Sequence, residues 1–483
     1  MQLRPSLDTG SDTPLYRQLG SWLQNLIDTG GLNTGDRLPP TRELAGQLGL
    51  NRTTVSAAYA ILESSGHIKG AVGRGSFVCH APPAPSLLDW SRFLAPALSP
   101  AVASAPAGLI NFSNSRPPED LFPVDEFREC CAEVLRDSAL TPLMQIGSPS
   151  GLEPLREYLL QGAIAEGYAS SADGILITNG CQQAIDLLRR ALVRPGDKVA
   201  LEDPVYPGLK SIFLEAGTEI VGIPVSPRGL DAEAVSRALH GGVRLVVVTP
   251  SFQNPTGFTM PAESRAALTT MVRQAGAVLI ENDMYSGLGW GTTAGPRLKS
   301  LDPHTICIGS FSKIAFPGLR VGWVIAPHAV IARLTEWKQL SDLHTDQLSQ
   351  AFLLRFATSG RLAAHQKKAI VAGREKGKAL AEACATHLAE CRYTLPEGGL
   401  NMWVELPAAL DAGALRGLAQ QAGVDFLPGR YFAVSRPHDS GFRLSFGGLP
   451  VDQIRRGVEL LGGVIHRALD SRRNVVAMPQ AII

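Results

Sequence analysis

The sequence predicts a multidomain protein with a small helical head, a linker, and a large α/β body ending in a smaller α+β subdomain. Three observations carry this. The chain has 483 residues, more than one ordinary domain of about 100–200 residues holds. Hydrophobic spacing changes along it, from a helical period near the start to short apolar runs alternating with helical stretches beyond about residue 110. Between these regions, residues 80–109 are rich in Pro, Ala and Ser.

In the head, apolar residues recur with helical spacing from Pro14 to Ile27, at Leu15, Leu19, Trp22, Leu23, Leu26 and Ile27, and Gly30-Gly31 ends the run. A second helix is expected over Thr41–Leu48, with Thr41 as its N-cap after Pro39-Pro40. The turn Gly49-Leu50-Asn51 leads to a third helix, Arg52–Ser64, with Val55, Ala58, Tyr59 and Leu62 as its apolar stripe. Residues 67–69 and 76–78, joined through a Gly-rich bend, suit a two-stranded wing. This is the pattern of a winged helix-turn-helix, whose second helix would enter a DNA major groove. Asn51, Arg52, Thr53 and Thr54 open that helix, and Arg42, Lys69 and Arg74 are placed to anchor phosphates. The competing reading is a helical interaction module. Charge does not separate the two, since residues 1–80 hold seven Lys and Arg against six Asp and Glu.

The head resembles the GntR family of bacterial transcription regulators across Pro14–Val78. The resemblance rests on Pro14-Leu15-Tyr16, Gly35-Asp36-Arg37-Leu38-Pro39, Thr41-Arg42-Glu43-Leu44-Ala45, Arg52-Thr53-Thr54-Val55, Ala58-Tyr59 and Gly73–Val78. It implies that Arg42, Arg52 and the wing face DNA. Asn51 stands where that family often has Ser. After the head, the prolines of residues 80–109 rule out a long helix, so a semi-rigid linker is expected, with a short amphipathic stretch at Leu87–Phe93.

From about 110 to 475, apolar runs at Gly174–Thr178, Lys198–Glu202, Leu245–Thr249, Val278–Glu281, Thr305–Gly309 and Val321–Ala326 alternate with helical stretches such as Gln182–Leu192 and Ala262–Gln274. Such runs fit a mostly parallel sheet covered on both faces. The smaller α+β subdomain is expected from about Ala408, with a contribution from the start of the body. Apolar residues make up 45% of the chain and charged ones 18%, with a net charge of +1, so no chain-wide basic field exists. Seven scattered cysteines, none in a CxxC pair, read as reduced thiols of a cytoplasmic protein and not as a disulfide set or zinc site. Neither a signal peptide nor a membrane span is expected.

Chemistry-bearing residues fall at the strand ends. Thr178-Asn179-Gly180-Cys181-Gln182-Gln183 turns from a strand into a helix, and backbone amides at a helix start hold phosphate. Tyr206 follows the next strand, and Asn254 lies in an Asn-Pro-Thr-Gly turn. Alone, a loop tyrosine such as Tyr206 is more often plain packing, and Asn254 reads also as part of an ordinary Asn-Pro turn. Lys313, in Ser310-Phe311-Ser312-Lys313, closes another strand, where a buried lysine is costly unless used. Ser310 and Arg320 flank it and can bond a phosphate. Together these meet the needs of pyridoxal 5'-phosphate (PLP): a lysine for the aldehyde, a phosphate cradle, a donor to the phenolate, a stacking ring and a partner for the pyridine nitrogen.

Residues 111–470 resemble fold type I PLP-dependent aminotransferases. The resemblance rests on Gly151 with Pro154-Leu155-Arg156, Asn179–Gln183, Glu202–Pro207, Asn254–Gly257, Ser310–Lys313 with Pro317-Gly318-Leu319-Arg320, and Gly441-Phe442-Arg443-Leu444. It implies that Lys313 forms an aldimine with PLP, that Asn254 meets the phenolate and that Tyr206 stacks on the ring. Ser310, Arg320 and the Cys181 and Gln182 amides would hold phosphate, with Ser312 and Tyr285 also in the cofactor set. Arg443 would bind an amino acid's carboxylate. The partner of the pyridine nitrogen is Asn282 or Asp283, depending on register from Tyr285, and Asp283 is the slightly favoured reading. Ile146 stands where many members carry a tyrosine that reaches the other subunit's phosphate. A GntR-like head on such a body resembles the MocR/GabR family of bacterial regulators. That implies a head-to-tail homodimer bound to an operator near its own or a neighbouring promoter, sensing an amino acid, amine or PLP through Lys313. The alternative is an active aminotransferase with a DNA-binding appendage.

Overall fold

The computed structural model describes residues 5, 7–8, 13–71, 75–79, 93–94, 108–138, 140–291, 295–407 and 410–476. Arg74 and most of the linker read over 80–109, including Leu87–Phe93 apart from Phe93, lie outside the described residues. The chain divides into two compact units, Met1–Ala97 and Leu98–Ile483.

In the first unit, α1 (Leu15–Asp28), α2 (Thr41–Leu48) and α3 (Arg52–Ser64) precede a hairpin of β1 (Ile68–Ala71) and β2 (Gly75–Val78). The i, i+4 side chains Leu19, Leu23 and Ile27 of α1 pack on Leu44, Val55, Tyr59 and Leu62, while Ile68 and Val78 of the wing complete the same core. Ile68 pairs with Val78 across the hairpin. Two helix starts differ in how they are capped. Thr41 is the first residue of α2 and Pro40 its cap, because Pro40's fixed φ already sets the entry angle. Asn51 caps α3, its Oδ1 accepting from Thr53 N at 3.1 Å.

The second unit holds an eight-stranded sheet. Its strands are β4 (Asp173–Thr178), β5 (Lys198–Asp203), β6 (Glu219–Ser226), β7 (Gly229–Leu230), β8 (Val243–Val248), β9 (Val278–Asn282), β10 (Ile306–Ser310) and β11 (Gly322–Pro327), in the order β4-β11-β10-β9-β8-β5-β6-β7. The run β10-β9-β8-β5-β6 is parallel, while β11 and β7 pair antiparallel with their neighbours. Both faces are buried, which explains the continuous apolar runs. Leu201, Val247, Ile280 and Ile308 pack on one face against Ile185 and Leu188 of helix Gly180–Leu192. Ala200, Val246 and Leu279 pack on the other against Leu268 and Val272 of helix Ala262–Gln274. This alternation fixes which residues at the strand ends face the site.

A four-stranded antiparallel sheet forms the smaller subdomain, from β12 (Arg392–Tyr393), β13 (Asn401–Glu405), β15 (Leu427–Pro428) and β16 (Gly441–Ser445). It begins at Arg392, ahead of the position near 408 that composition suggests. Its core takes in Phe112 from the start of the body and Leu380 from helix Arg361–His387. The short strand β3 (Ile110–Asn111) pairs in parallel with β14 (Val424–Asp425), so the first residues after the linker belong to this subdomain. No helix among the described residues is long and apolar enough to cross a membrane.

Candidate functional site

A cavity of about 560 Å³ opens where β8, β9 and β10 end. The carboxyl ends of parallel strands are where α/β sheets bind ligands. Cys181, Gln182, Tyr206, Asn254, Asn282, Tyr285, Ser312, Lys313, Arg320 and Arg443 all line it. Of the residues the sequence assigns to this site, Asp283 and Ser310 do not.

One end of the cavity is built around the start of helix Gly180–Leu192. Gly180 has φ +77, and a Cβ there would come 2.5 Å from Arg320 Nη2. Only glycine lets the guanidinium lie against this turn. Arg320 Nη2 donates to Asn179 O at 3.4 Å, and Nη1 donates to Ser312 Oγ at 3.4 Å. Behind the turn, Asp342 accepts from Asn179 Nδ2 at 2.5 Å, Gln183 Nε2 at 2.6 Å and the buried Lys338 Nζ at 2.9 Å. The sequence reading missed this support; its one local signal is the i, i+4 spacing of Lys338 and Asp342 on a helix. The Gln182 side chain donates to Gly208 O at 3.2 Å. Burial pushes the Cys181 thiol up, against the pull of Lys313 and Arg320.

At the other end, Arg443 projects from β16 and is 4% exposed. Its Nη1 donates to Asn254 Oδ1 at 2.9 Å, and Nη2 donates to Ser113 O. Its Nε is buried without a partner. Burial lowers the guanidinium to about 10, and the hydroxyls of Tyr285 and Tyr206 oppose that shift. Asn254 Nδ2 donates to Tyr285 Oη at 3.4 Å. Lys313 Nζ donates to Ser115 O at 2.7 Å and sits 6.0 Å from the Tyr285 ring centroid. Tyr206 lies over Gly208, where a Cβ would come 2.5 Å from the tyrosine ring. Residues 113–116, just past β3, form the cavity's rim. No sequence signal singled them out.

Of Asn282 and Asp283, it is Asn282 and not the favoured Asp283 that lines this cavity. Asn282 shares the β9 face of Ile280 and enters the cavity; its Nδ2 donates to Thr249 Oγ1 at 3.3 Å and its buried Oδ1 has no partner. Asp283 falls on the opposite face, bonded by Arg297 and by Ser286 Oγ at 2.7 Å, and lines a separate cavity. Ser310 is also corrected. It lies one layer behind, its Oγ 3.0 Å from Ser312 Oγ and accepting from Ser312 N at 3.1 Å, so it positions Ser312. In the head, Arg42, Asn51, Arg52, Thr53 and Lys69 are exposed and Thr54 is half-buried. Asn51 Oδ1 is engaged in the α3 cap.

Residues 109–461 match the family of class I and II aminotransferases, and residues 15–78 match the gntR family of bacterial regulatory proteins. The 2-aminoadipate transaminase of Thermus thermophilus is 35% identical, over 74% of this chain and 89% of that one. The probable rhizopine catabolism regulatory protein MocR of Rhizobium meliloti is 30% identical over 94% of each chain, and so spans head and body alike. Among solved structures, the α-aminoadipate aminotransferase LysN from Thermus thermophilus, complexed with N-(5'-phosphopyridoxyl)-L-leucine, superposes with a TM-score of 0.73 at 32% identity, covering 80% of this chain and all of that one. The chain therefore belongs to the class I and II aminotransferase family and, through its gntR-family head, to the MocR-type transcriptional regulators.

Proposed function

We propose that this regulator binds PLP at the β8–β10 cavity, and that an amino compound arriving there alters how the head binds DNA. The cavity fits the cofactor. Its Gly180 turn leaves a cradle that a Cβ would fill, and Arg320, Ser312 and the helix-start amides converge there to hold a phosphate. Asn254 and Tyr285 would meet the phenolate oxygen, Tyr206 would cover the ring and Lys313 would face the aldehyde. When bound, PLP supplies an aldehyde that condenses reversibly with primary amines and a ring that draws electrons from the amine's α-carbon.

The observation that favours sensing over turnover is Asn282. A carboxylate at this position would keep the ring nitrogen protonated and the ring a strong electron sink. Asn282 carries no charge, and the nearest alternative, Asp283, is held by Arg297 outside the cavity. Binding is thus retained while the driving force for carbanion chemistry is reduced.

Two cations of the site also hold its rim. Arg443 donates to Ser113 O and Lys313 to Ser115 O. A ligand carboxylate at Arg443 competes with Ser113 O and Asn254 Oδ1, and a Lys313 drawn away from Ser115 O frees the same segment. That segment follows β3, which the linker precedes in the chain. Ligand occupancy thereby reaches the linker through six residues of backbone, Ile110–Ser115. A ligand shifts the head only by its difference in affinity for the two rim arrangements. A head-to-tail dimer of two chains goes with this reading, and the exposed apolar side chains of Met144 and Ile146 support a contact between copies.

The test is a titration of the PLP-loaded protein with a panel of amines and amino acids, following cofactor absorbance and binding to DNA from upstream of its own gene. Both signals should respond to the same compound, and Lys313→Ala should lose both. Retention of the chromophore and of the DNA response in Lys313→Ala would sink the proposal. Retention of Lys313, Asn254 and Arg443 in one cavity also favours a second reading, residual transamination; sustained amino-group exchange with a keto acid would select it.

A further inference from the structure

We infer that Arg116 reads a second acidic group on the ligand, so that the effector is an amino acid with a distal carboxylate or sulfonate. This rests on the ligand-sensing reading above. Among the described residues, the cavity is lined by four cations, Arg116, Lys313, Arg320 and Arg443, and by no aspartate or glutamate. Two of the four are committed to the cofactor: Arg320 stands at the phosphate cradle, and Lys313 faces the aldehyde. Two remain for the ligand. Arg443 is deep, with Nε unpaired, and takes the first carboxylate. Arg116 is at the rim.

Arg116 is held there by its backbone and its stem. It directly follows the Ser113–Ser115 stretch whose carbonyls Arg443 and Lys313 bond. Its Cγ packs on Gly448, where a Cβ would come within 3.0 Å. The guanidinium itself is weakly engaged. Its Nη1 donates to Glu119 Oε1 at 2.9 Å, and the side chains are 55% and 66% exposed. An ion pair that open to water contributes little, so exchanging Glu119 for a ligand anion costs little. Without the carboxylate that Asn282 replaces, nothing lining the cavity opposes that second negative charge. A neutral side chain at the same place would instead leave Arg116 with Glu119 and gain no charge-assisted bond.

The experiment uses the full-length, PLP-loaded protein and reads the midpoint of the cofactor absorbance change. L-glutamate, L-2-aminoadipate and L-cysteate are compared with L-glutamine and L-norleucine. The expected result is a preference for the acidic compounds on the order of tenfold, the scale of one charge-assisted bond at a partly exposed site. Arg116→Gln should bring the ratio of glutamate to glutamine close to one, and Glu119→Gln should raise it. Glutamate and glutamine midpoints within twofold of each other in the unaltered protein would overturn the inference but leave ligand sensing intact, as would an undiminished ratio in Arg116→Gln. No spectral change with any of the five, nor with other amines, would overturn both.

Discussion

Replacing Gly180 by alanine tests the phosphate cradle most directly, because two separate costs can be worked out for it. The first is local. Gly180 sits at φ +77, a region that costs a residue with a Cβ about 1–2 kcal/mol. The second is transmitted. The new Cβ would lie 2.5 Å from Arg320 Nη2 and 3.1 Å from its Cζ. Arg320 cannot swing freely, since its backbone is itself left-handed at φ 56 and its Nη1 donates to Pro317 O at 3.1 Å. Nor can the turn retreat, since a Cβ at Gly322 on β11 would already meet the Gly180 backbone at 2.9 Å. The guanidinium must therefore leave the cradle. Losing one charge-assisted bond to phosphate is worth about 1.5–3 kcal/mol, a weakening of PLP binding by roughly 10- to 150-fold. Titrating the apoprotein with PLP by absorbance measures this term. Thermal unfolding of the same apoprotein reports the local cost together with the loss of the Arg320 bonds to Asn179 O and Ser312 Oγ. A folded Gly180→Ala protein that binds PLP within threefold of the parent would refute the cradle assignment.

Three further outcomes are expected. Asn282→Asp restores a carboxylate beside the ring nitrogen; at about 3 Å and an effective dielectric near 20 its attraction is ~5 kcal/mol before desolvation, so the single-turnover half-reaction with an amino acid should speed up on the order of 100-fold, and an unchanged rate would remove Asn282 as the brake. Burial raises the Glu202 carboxyl from 4.5 to about 8: the folded state keeps a proton that the unfolded chain has released, so stability falls as pH rises between those values, by at most about 5 kcal/mol at ~1.4 kcal/mol per pH unit. Glu202→Gln should flatten that slope in urea unfolding at pH 5 and pH 8.5, and equal slopes would rule out Glu202 as its source. In the head, Arg52→Ala should weaken DNA binding and reduce the slope of log affinity against log salt by roughly one; an unaltered slope would place Arg52 off the phosphate backbone.

The sequence read well where one local rule decided the outcome. The head helices follow from the i, i+4 placement of Leu19, Leu23 and Ile27, and the sheet from apolar runs that both-face burial demands. It read less well where two rules competed. Thr41 is a good cap by residue type, but Pro40 before it has already turned the chain, so Thr41 becomes the first helical residue. Ser310 and Ser312 are the same residue type two positions apart, and only the bend after β10 puts Ser312 in the cavity with Ser310 behind it. The small subdomain starts early because β13, edged by β12, pairs with β16, which carries Arg443, across more than thirty residues, a pairing that periodicity cannot register.

The Asn282/Asp283 question shows what kind of information was missing. Alternation in a strand says that residues 280 and 282 share one face and 279, 281 and 283 tend to the other. It does not say which face carries the site, because β9 is buried on both sides and each face carries polar residues, Asn282 on one and Glu281 and Asp283 on the other. Helix Gly180–Leu192 supplies the answer. It covers the face of Ile280, and its first residues, Cys181 and Gln182, line the cavity, so the cavity lies on that face and Asn282 enters it. Asp283 then meets Arg297 on the far side. The helix whose start would hold the phosphate thus also determines that an amide and not a carboxylate would stand beneath the ring. Asn282 itself is anchored by Thr249, just past β8, and its buried Oδ1 has no partner. The position is therefore held in place while lacking a charge, as the proposed sensing role requires and as Asn282→Asp would test.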